Sequence, residues 1–323
     1  KWGRLHSWVP RFEAGCGGCR LEGTLLAPIG ERGFGYHLRL SAGEAGAEYA
    51  LGLRGCWAEA LHSVNESKAI EAEKHAYRSA WNHSFVLDMR PGLSLFAFAP
   101  IFTEDPANCP VRDRFCTRGD EVRYSIELPG RLAAGESAEL CVWFGLGFEE
   151  VSAATSAKEM LRQGYGAELR KTLDWLAQRE RTVGDAALDE TLNLNMFFSY
   201  FFAGGLTLDS EEFALVTSRS PRYYVSAAYW DRDSLLWSFP AILLADAGTA
   251  AEMLRYVFTR QIRNVGLHSR YIDGTLLEPG FELDELCAPV IALGGYVERT
   301  GDRDILREDC VRRGVERILW TLG

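Results

Sequence analysis

Tyr229-Trp230-Asp231-Arg232-Asp233-Ser234 stands immediately before an apolar run, Leu235 to Ala245. Charges followed by an apolar body predict a helix whose N-terminus faces a cavity and whose remainder enters a core. An Asp at a helix start needs no function, because the helix dipole favours it by about 0.3–1 kcal/mol. An Arg there is not favoured, and a charge turned into a core costs several kcal/mol unless paired. Arg232 between two Asp, after Tyr229 and Trp230, therefore predicts an aromatic platform and a hydrogen-bonding fork for sugar hydroxyls.

A second stretch has the same design. Phe281-Glu282-Leu283-Asp284-Glu285-Leu286-Cys287-Ala288-Pro289 places three carboxylates at the start of another helix. They stabilise a first turn, and that alone would account for them. Their functional role would be to wall a sugar pocket or to supply half of a paired-carboxylate glycosidase site. His268-Ser269-Arg270-Tyr271-Ile272-Asp273-Gly274 reads as a loop between the two. Arg270, Tyr271 and His268 are its candidates for reaching a substrate, and Arg270 and Asp273 are close enough in sequence to pair with each other.

Composition bounds the alternatives. The 323 residues are 47% hydrophobic, 25% charged and 12% aromatic, with a net charge of −10. That is enough apolar material for two domains. With no basic cluster, nucleic acid is not an expected partner. No run of about eighteen apolar residues exists, so no membrane span is expected. No glycine fingerprint or phosphate loop appears, so no nucleotide cofactor is expected. The eight cysteines are too dispersed for a disulfide scaffold, which predicts reduced thiols and a cytoplasmic location. Cys16-Gly-Gly-Cys19 has metal-ligand spacing, but a second pair of matching spacing is missing, Cys109 and Cys116 being a loose candidate only, so no metal is expected.

In chain order, residues 1–150 read as a β-sandwich. Alternating runs at Phe34–Leu40, Tyr49–Leu53, Val86–Arg90, Leu93–Phe98, Val122–Leu128 and Leu140–Phe144 are separated by Gly and Pro clusters. Residues 151–184 read as a linker helix, with Leu161, Leu169, Leu173 and Leu176 along one side. Residues 185–323 read as five helices joined by long connections, one of them a polar, Arg-rich excursion over Leu206 to Tyr224. This alternation predicts the N-terminal part of a helical toroid. Five helices do not close such a ring, and an open arc would expose more apolar surface than a monomer tolerates. The expected partner is therefore the remainder of the toroid, from a C-terminal segment or a second chain.

The two charged stretches together resemble glycoside hydrolase family 125, the metal-independent α-mannosidases. Trp230 to Ser234 is similar to that family's Leu-Arg-Asp-Ser segment, and Phe281 to Pro289 to its second acidic segment. Glu285 stands where the family has serine, and Ala288 where it has tyrosine. The Phe258–Arg263 helix end and the Thr300-Gly-Asp302 turn look similar too, so the resemblance spans about 186–323. It implies an (α/α)6 toroid and an exo-acting, inverting α-mannosidase of α-1,6 type. The Arg-Asp pair also looks like that of glucoamylases, where it holds the terminal sugar. Carried over, Arg232 and Asp233 would bind the terminal sugar's hydroxyls, and Glu282 and Asp284 match the family's acidic positions; with Tyr229, Trp230, Arg270, Tyr271 and Glu285 from the reading of the residues themselves, they make up the expected substrate-binding set. The family's catalytic acid and base would lie beyond Gly323, with Glu285 a minority candidate. The N-terminal sandwich is more like that of glucoamylase-like enzymes, which keeps an α-glucosidase or debranching enzyme as the alternative. A non-catalytic carbohydrate-binding protein is the further alternative.

Overall fold

The computed structural model describes residues 1–57, 61–62, 69–70, 73–80, 84–90, 96–101, 110–118, 121–207, 211–219 and 228–323. Residues 93–95, Cys109 and parts of the 206–224 excursion lie outside these. Two compact units divide the chain, Lys1–Leu61 with Ala69–Gln178, and His62–Lys68 with Arg179–Gly323.

The first unit is built on two antiparallel sheets. The larger runs in the order Trp2–Leu5, Val9–Cys16, Cys19–Leu26, Gly33–Ala42, Ser137–Gly147, Phe96–Ile101, Phe85–Arg90 and Glu73–Arg78. The smaller runs Arg112–Arg118, Glu121–Leu132 and Ala47–Trp57. Leu38, Leu40, Leu140, Val142 and Phe144 of the first share one core with Leu51, Ile126 and Leu132 of the second. Alternation put these residues on inner faces, as a sandwich requires. Five strands of these two sheets escaped the sequence pattern: Trp2–Leu5, Val9–Cys16, Cys19–Leu26, Glu73–Arg78 and Arg112–Arg118. Their faces carry too many polar or small residues for a clear period of two. Cys16 and Cys19 oppose each other across a hairpin, with Gly17 and Gly18 at φ +55° and +79°. Their spacing is thus that of a two-residue turn.

Residues 151–184 are not one linker helix. They form α1 (Glu150–Gln163) and α2 (Tyr165–Arg179), broken at Gly164 with φ +83°. Both belong almost wholly to the sandwich unit. Ala153 and Ala157 of α1 are buried on Gly145, where a Cβ would collide with the Ala153 carbonyl. Tyr165 of α2 stacks on His37 at 3.9 Å, and Lys171 pairs with Glu31 at 2.7 Å.

The second unit, among the described residues, holds α3 (Ala186–Ala203), α4 (Phe239–Ala245), α5 (Ala247–Thr259), α6 (Leu283–Thr300) and α7 (Asp309–Leu322). Leu235, Phe239, Ile242, Met253, Leu254, Leu286, Leu293, Val311 and Ile318 are in its core. Asp246 caps α5 through the amides of Gly248 and Thr249. The stretch read as a loop, His268–Gly274, belongs in part to a two-stranded sheet, Leu267–Arg270 with Leu276–Phe281. Large apolar side chains remain exposed on α3, α6 and α7 and before α4: Phe198, Ile291, Trp320 and Trp237.

Candidate functional site

Both charged stretches begin helices, and both lie in the second unit. The Asp231 start is unusual. Arg232–Ser238 is a π-helical turn, and Phe239 N–H donates to the Ser234 carbonyl. Pro240 supplies the reason: it has no N–H for the Leu236 carbonyl, and its ring would crowd that oxygen. Widening the turn relieves the clash, and such turns recur at functional sites. Glu282 precedes the first turn of α6, with Asp284 and Glu285 inside it.

A short bridge fixes the first start against the hairpin. Tyr229 N–H donates to the Arg270 carbonyl at 2.9 Å, and Arg270 N–H returns the bond at 3.0 Å. Behind this bridge lies a buried network. Tyr229 Oη–H donates to Asp231 Oδ1 at 2.6 Å, and Arg270 Nη2 donates to Asp231 Oδ2. Arg270 Nη1 donates to the Gln261 and Asn264 carbonyls, each at 3.2 Å, and its guanidinium lies 4.9 Å from the Tyr229 ring centre.

Tyr229 and Arg270 were expected on the pocket wall; both are instead wholly buried, and their polar groups serve Asp231. Nor does Arg270 pair with Asp273, which binds Thr275. Trp230 is buried too, its indole N–H donating to His268 Nε2 at 3.4 Å. An indole can only donate, so Nε2 is the acceptor and the His268 proton sits on Nδ1, which donates to Glu282 at 2.7 Å. Tyr271 remains exposed, at 52%.

Arg232 joins the two helix starts. Its Nη1 donates to Asp284 Oδ2 at 2.7 Å and Glu282 Oε2 at 3.1 Å. Asp233 Oδ2 lies 3.8 Å from Nε, and Glu285 Oε1 3.7 Å from Nη2. Arg232 N–H donates to Glu285 Oε2 at 3.2 Å. One guanidinium thus faces four carboxyl groups from two segments about fifty residues apart in sequence. Asp231, Gln261 and His268 complete the surroundings, and of these Gln261 carries no local sequence signal.

The carboxyls differ in their electrostatics. The hydrogen bond from Arg232 holds Asp284 below its ordinary range. Burial pushes Asp233 up, against the opposing charge of Arg232. Burial, then the negative charge of Asp231, pushes Glu285 up to about 8, although Arg232 N–H and Arg270 oppose this. Glu285 is wholly buried, and its Oε1 has no hydrogen-bond partner among the described residues. Geometry limits the chemistry. Glu282 and Asp284 share the one nitrogen Nη1, at 3.1 and 2.7 Å, so a cation is shared by the pair where an inverting glycosidase leaves room for a water between acid and base. Glu282 and Asp284 in this arrangement suit sugar hydroxyls. Among the described residues, no group of three or more His, Cys, Asp or Glu side chains is arranged to hold a metal, and no helix is long and apolar enough to cross a membrane.

The fold has solved counterparts. A bacterial glucoamylase solved with acarbose superimposes with a TM-score of 0.58 at 12% identity, covering 100% of this chain and 50% of its own. A protein described as a kojibiose phosphorylase, from the human microbiome, superimposes with a TM-score of 0.56 at 10% identity, covering 94% of this chain and 43% of its own. The fold is glucoamylase-like. The chain spans half or less of the length of these two proteins. No protein-family model matches the sequence, and no curated protein does.

Proposed function

We propose that the second unit carries the terminal-sugar grip of an exo-acting, inverting glycoside hydrolase, an α-mannosidase of α-1,6 type, and forms the first part of an (α/α)6 toroid. The observation that carries this is Arg232, held at once by Glu282 and Asp284 across two helix starts. A fork of donors ringed by acceptors matches the vicinal hydroxyls of a pyranose. The remaining helices come from further chain or a second chain, and they supply the catalytic acid and base. Exposed Phe198, Trp237, Ile291 and Trp320 are where they would pack.

A glucoamylase-like α-glucosidase is the second reading, favoured by the likeness to the bacterial glucoamylase. Incubating the full-length protein with aryl α-mannosides and α-glucosides, and reading the anomer released by NMR, separates the two. The expected result is release of β-mannose. Faster release of β-glucose would favour the second reading, and sugar binding without any release would leave a carbohydrate-binding protein.

A further inference from the structure

Beside Arg232 stands Glu285, wholly buried where a sugar cannot touch it. We propose that Glu285 is a positioning residue of the sugar site: its carboxyl, reaching from α6, caps the π-helical turn at the Arg232 amide and thereby sets where the Arg232 guanidinium stands. This rests on the sugar-site reading above.

Three observations carry it. First, the turn lacks its own cap. The Asp231 side chain is taken up by Tyr229 and Arg270 and caps nothing, and the Arg232 amide, at the first helical position, is one of the orphan donors of a helix start. Glu285 Oε2 accepts that amide at 3.2 Å. Second, the other oxygen of the same carboxyl, Oε1, faces Arg232 Nη2 at 3.7 Å and has no hydrogen-bond partner among the described residues. One carboxyl therefore addresses both ends of Arg232. Third, Glu285 is itself held in place. Its own N–H donates to Asp284 Oδ1 at 3.0 Å, and Arg270 Nη2 stands 3.8 Å from Oε2.

The groups facing Glu285 are Arg232 from the π-helical turn, Arg270 from the hairpin, Asp231 across Arg270, and Asp284 on its own helix. Its proton is held to an unusually high pH, about 8, by burial and by Asp231. While neutral, it caps Arg232 through Oε2 and leaves the guanidinium to Glu282 and Asp284. Once ionised, Oε1 competes for Nη2 and draws the guanidinium inward, off the carboxylates that would share a sugar with it. Sugar affinity then falls as pH rises through the Glu285 transition.

The test compares wild type with Glu285→Gln, which keeps the carbonyl acceptor and cannot ionise. In 15N-arginine-labelled protein without sugar, the Arg232 amide shift should step with a midpoint near 8 in wild type and stay flat in Glu285→Gln. Calorimetry with methyl α-mannopyranoside and methyl α-glucopyranoside should show wild-type affinity falling from neutral to alkaline pH, while Glu285→Gln holds its neutral-pH affinity throughout. Glu285→Ala, checked for folding by its thermal transition, should bind about tenfold more weakly because the amide is left uncapped. A purely structural role would move stability without moving the pH profile. No amide step in wild type, or a step that persists in Glu285→Gln, overturns the proposal. If neither sugar binds, the sugar-site reading fails, and the amide step still decides whether Glu285 positions Arg232.

Discussion

Arg270 and Asp231 form an ion pair in which neither side chain reaches solvent. Arg270 also donates to the Gln261 and Asn264 carbonyls, and Asp231 also accepts from Tyr229. Burial pushes the Asp231 carboxyl up, and the Arg270 charge and hydrogen bonds oppose that. Such a pair is strongly destabilising to break because one charge is left behind. Arg270→Met should cost about 3–5 kcal/mol in urea unfolding. Replacing both partners together, Asp231→Leu with Arg270→Met, should cost less than the single change. An equal or larger cost would mean the pair contributes net stability.

Tyr229→Phe tests the adjoining bond. A hydrogen bond to a charged group is worth about 1.5–3 kcal/mol, and the ring remains to pack against Arg270. The unfolding midpoint should drop accordingly, while sugar affinity at neutral pH should not change, because the hydroxyl is buried against Asp231.

Glu285 makes stability pH-dependent with a definite sign. Its folded value, about 8, lies above the ordinary glutamate value, so between the two the folded state holds a proton that the unfolded state has released. Its contribution is complete below about pH 4.3 and is lost as pH rises through the folded value. Thermal unfolding of wild type should therefore weaken from acid toward pH 8 more steeply than that of Glu285→Gln. Parallel curves would rule out a raised Glu285.

Arg232→Ala separates binding from stability. The side chain is partly exposed and its Asp284 partner more so, so the salt bridges are solvent-screened and worth no more than about 1 kcal/mol. Stability should barely move, while affinity for methyl α-mannopyranoside should fall more than tenfold. Unchanged affinity would reduce Arg232 to a structural clamp between two helices.

Asp246 joins a cap to an ion pair. It accepts from Gly248 and Thr249 and binds Arg179. Burial works against its charge, but Arg179 and the two amides prevail and hold the carboxyl below its usual range. Asp246→Ala should cost about 1–2 kcal/mol for the lost cap. The contribution of Asp246 is present above the unfolded aspartate value and is lost as pH falls through the folded one, so wild type and variant should converge in acid.

Periodicity settled much of this molecule. Alternation in Phe34–Leu40 and Leu140–Phe144 marked sandwich strands, because side chains on a pleat take opposite faces. Apolar spacing with Asp, Gly and Pro punctuation marked α3 to α7. The clustering of Arg232, Glu282 and Asp284 was also legible, since each acidic or basic residue stood at a helix start with no core role. Gly164, by contrast, broke a continuous helical pattern, because a single residue at positive φ redirects the chain while the apolar period continues across it.

What the sequence determined alone were the two charged helix starts, the inner faces of the stronger strands and the residue types gathered beside Arg232. Only the tertiary structure decided which of those charges face solvent. Arg270 and Tyr271 are neighbours, yet one is wholly buried and the other mostly exposed. Local pattern cannot separate them, since burial of an arginine depends on a carboxylate brought from elsewhere in the chain. Asp231 is that carboxylate, and its arrival behind the bridge turned two expected sugar contacts into the frame that holds the site.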